Sequence, residues 1–315
     1  MDEPALDRIR VLIARFYEDR KMRGFAAGYN EQTAWCLRYF LDFLKMRDEA
    51  DLTAVTADTM FAYQAHIFNR RGFRREKLCL VSQMHVLGRV RVFFQWLVRR
   101  GHILADPSAV IRLPKRKRPL PTGVMTKREV EKVLAQPDLD TPLGLRDRAI
   151  LELLYSSGLR ASELINLKLH DVNLADREIM IRKGKGGKDR VVPVGEVAAK
   201  YMEMYLEESR EKLLRGKEDG KWLFIGRLKA KMERKSLNFA IVQRYCRRAG
   251  LKKHVTTHGF RHTCATHLLK GRADIRHIQE LLGHESLEST RIYTRVEVGD
   301  LKRALKRCHP REQSR

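Results

Sequence analysis

The sequence predicts a mainly α protein with a small antiparallel β-sheet, arranged as two domains. Three observations lead there. The 315 residues exceed what a single hydrophobic core usually serves, and a hydrophobic fraction of 43% is ample for two. Apolar residues recur at steps of three and four over most of the chain. One stretch instead shows two β-rich runs, REIMIRK and DRVVPV, joined by the glycine-rich turn GKGGK.

Taken in order, Leu6, Ile9, Ile13 and Phe16 form a first helical stripe, and Leu37, Phe40, Leu41 and Leu44 a second behind an expected Asn30 cap. A third helix begins near Thr56. A fourth runs from about Glu76 through Leu78, Val81, His85 and Phe93 to Arg100, with Gly101 suited to the left-handed residue after a helix end. Residues 1–106 thus form an all-helical domain. Residues 107–124 follow as a basic, proline-rich linker, in which Pro107, Pro114, Pro119 and Pro121 surround Arg112, Lys115, Arg116, Lys117 and Arg118. Such a charge run is a solvated segment in many proteins; in a chain this basic it equally suits a phosphate backbone. The second domain, 125–315, opens with the capping box Thr126 and Glu129. Helices continue to about Ser157, then come the two β runs, and KWLFIG is expected to add a third strand. Helices return from Thr256, and Ile275, Ile278 and Leu282 are expected to face the core in DIRHIQELLG.

Charge narrows the partner. Lys and Arg total 64 against 39 Asp and Glu, a formal net charge of +25 spread along the chain, which favours nucleic acid. The five cysteines, Cys36, Cys79, Cys246, Cys264 and Cys308, are far apart and never paired as Cys-x-x-Cys, so neither a disulfide framework nor a zinc ribbon is written. The N-terminus carries acidic residues where a signal peptide needs basic ones, and no apolar run approaches the ~20 residues that span a bilayer. The expectation is a cytoplasmic protein with no membrane partner.

Several residues could carry chemistry. GKGGK is not a phosphate-binding P-loop, because Arg182 and Asp189 stand where that loop needs Gly and Ser or Thr; a hairpin presenting Lys185 and Lys188 at its tip remains. His258 and His262 have zinc-ligand spacing, but Gly259 replaces the glutamate of a metalloprotease and Cys264 and His267 complete no recognised ligand spacing, so no metal site is expected. His258 and Arg261, at i and i+3 where a helix opens, make a candidate phosphate site. Arg160 follows YSSGL, at a corner where a preceding helix ends on Gly158, and Glu163 one turn on can orient it. His284 follows Gly283, and nine residues later stands Tyr293.

In this order, Arg160 after Tyr-x-x-Gly-Leu, Lys185 in a Gly-Lys-Gly hairpin, His258-x-x-Arg261-His262, Leu-Leu-Gly-His284 and Ser-Thr-x-x-Tyr293 resemble the tyrosine recombinases, the phage integrase family, and especially its Xer-type members. The resemblance spans Thr126 to Tyr293, and the helical first domain is similar more loosely to the family's core-binding domain. It implies a C-shaped clamp on duplex DNA. Tyr293 would be the nucleophile, with Arg160, His258, Arg261 and His284 around the scissile phosphate and Lys185 as general acid. Lys115, Arg116, Lys117, Arg118 and Lys188 would contact DNA. The resemblance implies site-specific recombination through a 3′-phosphotyrosine and a Holliday junction, with no cofactor, metal or ATP. The partners implied are double-stranded DNA with a paired recombination site and a homo- or hetero-tetramer, in the cytoplasmic nucleoid. A terminal stripe, Val298, Leu301 and Leu305, would pack on its own domain or on a neighbouring subunit. Two alternatives stay open, a type IB topoisomerase-like nick-and-reseal enzyme and a non-catalytic DNA-binding regulator. So do chromosome-dimer resolution, plasmid resolution and mobile-element integration as the biological role.

Overall fold

The structure, a computed structural model, describes residues 3–25, 27–49, 51–71, 77–113, 123–182, 189–216, 221–226, 231–283, 302 and 305–312. The chain divides into two compact units, Met1–Arg118 and Pro119–Arg315. It is mostly helical, with one three-stranded antiparallel sheet among the described residues.

The first unit contains α1 (Glu3–Met22), α2 (Ala27–Met46), α3 (Ala57–Asn69) and α4 (Leu80–Arg99). Its core is aromatic. Phe16, Phe40, Tyr63, Phe93 and Phe94 are fully buried, and the Phe16–Phe93, Phe40–Tyr63 and Phe40–Phe94 pairs meet edge to face. Thr56 caps α3, and Gly101, at φ +71°, closes α4 as expected. Two boundaries differ from expectation. Asn30 lies inside α2 and accepts a hydrogen bond from Arg20 Nε at 2.9 Å, so its side chain is committed elsewhere than to a cap. The fourth helix starts at Leu80 instead of near Glu76, because Lys77 bridges Arg71 and the Leu78 N–H donates to the Arg70 carbonyl. Residues 107–113, read as the start of the linker, pack on this unit. Pro107–Val110 forms a single 3-10 turn capped by Asp106, and Ile111 is buried. A proline at the first position of such a turn removes no needed donor, so it starts the turn and does not break it.

The second unit begins with the capping box as expected: Thr126 Oγ1 accepts the Glu129 N–H, and Glu129 accepts that of Thr126. This starts α5 (Lys127–Leu134), and Lys253 ties the same carboxylate down at 2.6 Å. The centre of the unit is α6 (Pro142–Ser157), buried along nearly its whole length. After α7 (Ala161–Asn166) come β1 (Val172–Asn173), β2 (Glu178–Ile181) and β3 (Arg190–Pro193), in the order β1-β2-β3. The two expected β runs pair, Ile181 lying opposite Arg190, but the third strand is Val172–Asn173 and not KWLFIG. There the backbone makes only single bridges among the described residues, Trp222 with Lys168 and Ile225 with Lys231, and side chains take carbonyls that a longer ladder would need: Arg210 takes that of Trp222, Tyr205 that of Leu223 and Arg146 that of Ile225. Leu223, Phe224 and Ile225 are all buried, without the alternation of a half-exposed strand.

Two helical rods follow, each with a π-helical middle: α8 (Glu196–Met204) leading to α9 (Arg210–Leu214), and α10 (Arg234–Ser236) leading to α11 (Arg244–Arg248). Then come α12 (Thr257–Lys270) and α13 (Ile275–Leu282). In α13 the core side is Ile278, Leu281 and Leu282; Ile275, expected to face inward, is 58% exposed because it stands in the first turn, beside the Asp274 cap. Val298 and Leu301 of the terminal stripe lie outside the described residues, whereas Leu305 is buried in this unit. Cys308 and His309 are buried with it, and Arg311 pairs with the buried Glu152 of α6. No helix among the described residues is long and apolar enough to cross a membrane, and all five cysteines are free.

His309 uses both ring nitrogens in its neutral form. Nε2 donates to the Tyr155 carbonyl at 2.9 Å, and Nδ1 accepts the Arg311 N–H at 3.2 Å. Burial holds its pKa down at about 4. An unfolded chain protonates this histidine below about pH 6.5 while the folded one does not, so its contribution is intact above that pH and lost as pH falls towards 4, by roughly 3 kcal/mol. Urea unfolding at pH 7 and pH 4.5 should show this loss, and His309→Gln should make it shallower.

Candidate active site

The site is built where three chain segments end. Helix α6 stops at Gly158, whose φ of +58° reverses the chain, and Arg160 then caps α7. Glu163, in the first turn of α7, accepts both the Arg160 backbone N–H at 2.9 Å and its Nη1 at 2.7 Å, so arginine and carboxylate orient each other as expected. Arg190, at the start of β3, completes the group. Its Nη1 and Nη2 donate to the two Glu163 oxygens at 2.9 and 3.0 Å. Burial would raise the Glu163 pKa, but the bonds from Arg190 and Arg160 outweigh it, and the carboxyl is held below its ordinary range.

Arg261 comes from α12, which starts at Thr256, whose Oγ1 accepts the Gly259 N–H. The arginine is 2% exposed. Its Nη1 donates to the Gly158 carbonyl at 2.8 Å and its Nη2 to the Leu282 carbonyl at 2.5 Å. Arg160 Nη2 takes the next carbonyl, that of Gly283, at 2.7 Å. Helices α6 and α13 thus present unfilled C-terminal carbonyls, with their partial negative charge, to guanidiniums. Burial, then the nearby Arg160, lowers the Arg261 pKa to about 10, so the group remains charged at neutral pH.

His258 is exposed one turn earlier, its ring centroid 4.3 Å from that of His262. Partial desolvation of the ring, then His262, Arg261 and Arg160, push its pKa below the ordinary value, which favours the neutral imidazole at pH 7. The pair read as one candidate phosphate site therefore divides: His258 faces out, and Arg261 is anchored inward. Among the described residues, no three His, Cys, Asp or Glu side chains gather as metal ligands.

The structure therefore brings together Arg160 and Arg261, with His258 at the same helix start. Lys185, His284 and Tyr293 lie outside the described residues, as do Lys115, Arg116, Lys117, Arg118 and Lys188. Gly283, the neighbour of His284, is described, and it is bound by Arg160. Sequence reasoning missed Arg190. The available signal was its place across from Ile181: cross-strand partners share a face, so an arginine opposite a buried isoleucine points inward and needs an anion.

Comparison with known proteins agrees with this chemistry. Residues 123–299 match the phage integrase family. Tyrosine recombinase XerC 2 of Ralstonia nicotianae is 37% identical over 304 residues, covering 95% of this chain and 87% of that protein. Tyrosine recombinase XerD of Listeria monocytogenes serotype 4b is 36% identical, covering 92% and 95% respectively. The chain belongs to the phage integrase family, the tyrosine recombinases, and is an enzyme of site-specific DNA recombination. Two solved structures share its fold. XerH recombinase bound to a palindromic difH substrate, in a post-cleavage complex, has a TM-score of 0.65 at 22% identity, covering 91% of this chain and 82% of that one. A lambda integrase tetramer bound to a Holliday junction has 0.64 at 17%, covering 93% and 84%.

Gly158 offers a direct check on the corner. A methyl group there would lie 2.7 Å from Leu282 Cδ2 and would force an L side chain into a left-handed backbone. Gly158→Ala should lower stability by about 1–3 kcal/mol, read from urea midpoints, and should also slow DNA cleavage, since both Arg261 and Arg160 are fixed from this turn.

Proposed function

We propose that Tyr293 attacks a scissile phosphate in duplex DNA, with the positive charge of Arg160 and Arg261 and the imidazoles of His258 and His284 around the nonbridging oxygens. The Tyr293 oxygen–phosphorus bond forms, its phenol proton passing to the imidazole of His258, as the bond to the 5′-oxygen breaks, and Lys185 protonates the departing oxygen. The phosphotyrosine conserves the bond energy, so a 5′-hydroxyl from a second duplex displaces the tyrosine and joins exchanged strands without ATP. The observation that carries this reading is the binding of Leu282 and Gly283, the carbonyls just before His284, by Arg261 and Arg160. It joins the two candidate phosphate arginines to the segment that continues to Tyr293. Fixed cations of this kind stabilise charge that develops in the transition state without reorganising.

In this reading, residues 1–106 form a core-binding domain and 125–315 the catalytic domain of a clamp on DNA. The basic segment 107–124, through Lys115, Arg116, Lys117 and Arg118, tracks the phosphate backbone with Lys188. The assembly is a tetramer on two paired sites in the cytoplasmic nucleoid, an arrangement supported by the tetrameric lambda integrase that shares the fold.

The test is covalent capture from a random duplex library in excess EDTA, followed by denaturing electrophoresis and sequencing of the trapped strand. Wild type should yield a phosphotyrosine adduct on a defined sequence, and Tyr293→Phe should bind that DNA without forming one. An adduct from Tyr293→Phe, or a requirement for Mg²⁺, would remove the mechanism.

On the selected site, Lys185→Ala should lose most cleavage of an ordinary phosphodiester and recover on a 5′-bridging sulfur, whose thiolate leaves without a proton. Lys188→Ala should show no such selective recovery. Equal recovery of both variants would place the general acid elsewhere in the hairpin.

A further inference from the structure

We infer that Arg190 is a positioning residue of the strand-transfer site, acting on Arg160 through Glu163 and on the Leu282–Gly283 turn. The inference rests on the reading of Arg160 and Arg261 as phosphate-binding cations. Three observations lead to it. Glu163 has only two oxygens and four donors on them: the Arg160 N–H and Nη1, and both terminal nitrogens of Arg190. Arg190 therefore fixes the plane of the carboxylate that in turn fixes the Arg160 guanidinium. It also changes the charge balance: Arg160, Arg261 and Glu163 sum to one positive charge, and Arg190 adds a second.

The second observation is Gly283. A Cβ at that position would lie 3.0 Å from both Cζ and Nε of Arg190, so the guanidinium rests directly on the backbone of the residue whose carbonyl Arg160 holds. The third is the cost accepted for this placement. The Arg190 side chain is only 14% exposed, and its Nε is buried with no hydrogen-bond partner among the described residues. A surface arginine would keep that donor in water; this one gives it up to reach Glu163 beside Gly283. Since Arg190 opens β3, which pairs with β2, it also ties these two strands to the arginine corner.

The experiment measures single-turnover adduct formation and equilibrium binding on the DNA selected by covalent capture, with wild type, Arg190→Gln, Arg190→Lys, Glu163→Gln and the Arg190→Gln/Glu163→Gln double variant. Arg190→Gln should bind as wild type does yet form adduct about 100-fold more slowly, the scale expected when a catalytic group is displaced by a fraction of its contact distance. Arg190→Lys, which keeps the charge but not the two-point grip, should fall between them. In the Glu163→Gln background, Arg190→Gln should cost little more, because both act on one group. A methylphosphonate at the mapped scissile position removes the phosphate charge, so the Arg190→Gln deficit should shrink there. The 5′-bridging sulfur should not rescue it.

A merely structural arginine would give an equal deficit on both phosphate and methylphosphonate, accompanied by a lower melting temperature, and would overturn the inference. So would additivity with Glu163→Gln, selective rescue by sulfur, or wild-type rates in Arg190→Gln. No adduct from wild type would instead overturn the mechanism on which the inference rests.

Discussion

The arrangement depends on a charge problem: three guanidiniums, Arg160, Arg190 and Arg261, must stay close together in a largely water-free corner. Like charges repel there more strongly than in water, and Arg261 loses its hydration almost completely. The fold offsets this with one buried carboxylate and three carbonyls at helix ends. Charge-assisted hydrogen bonds contribute about 1.5–3 kcal/mol each, and the side chains of Arg160 and Arg261 each donate two of them. The remaining positive potential is what a phosphate would find.

This requirement explains details that lie some distance from the arginines. The carbonyls are available only because α6 and α13 both end in left-handed glycines, Gly158 and Gly283, which turn the chain while leaving these oxygens unfilled. Helix α6 must then be held rigidly, and it is. Ser157 Oγ donates to the Pro193 carbonyl, linking the helix to β3, and Tyr155 is hydrogen-bonded to His267 of α12. The C-terminal segment packs on the same helix through His309 and Arg311. The last turns of α6 thus receive the sheet, the helix that carries Arg261, and the tail.

Much of this was legible in the sequence, and the exceptions share a physical cause. The Thr126–Glu129 capping box, the Gly101 and Gly158 helix ends, the β2–β3 hairpin and the Arg160–Glu163 pair are local, set by residues a few positions apart. The misses depended on distant partners. Asn30 is an acceptable cap until Arg20 takes its oxygen. KWLFIG has strand-like composition, but Arg146, Tyr205 and Arg210 bind its carbonyls from elsewhere in the chain. Arg190 looked like one more basic residue after a charged turn; only the pairing register turns it inward to Glu163. In the site itself, motif spacing singled out Arg160, His258 and Arg261 as candidates, but not that Arg261 would be buried while His258 faced out.

The burial of Arg261 bears on why an arginine stands there. A lysine ammonium in such a place would lose its proton readily, since burial and neighbouring cations both favour the neutral form. The same forces act on Arg261, yet from its much higher starting value they bring it only to about 10, and the charge survives at neutral pH. Its planar head also reaches Gly158 and Leu282 at once, which a single ammonium could not do with the same fixed geometry. The result is a cation held in position before any substrate arrives. For a reaction that concentrates negative charge on phosphate oxygens, that preorganisation is useful because the surroundings need not rearrange as the charge develops.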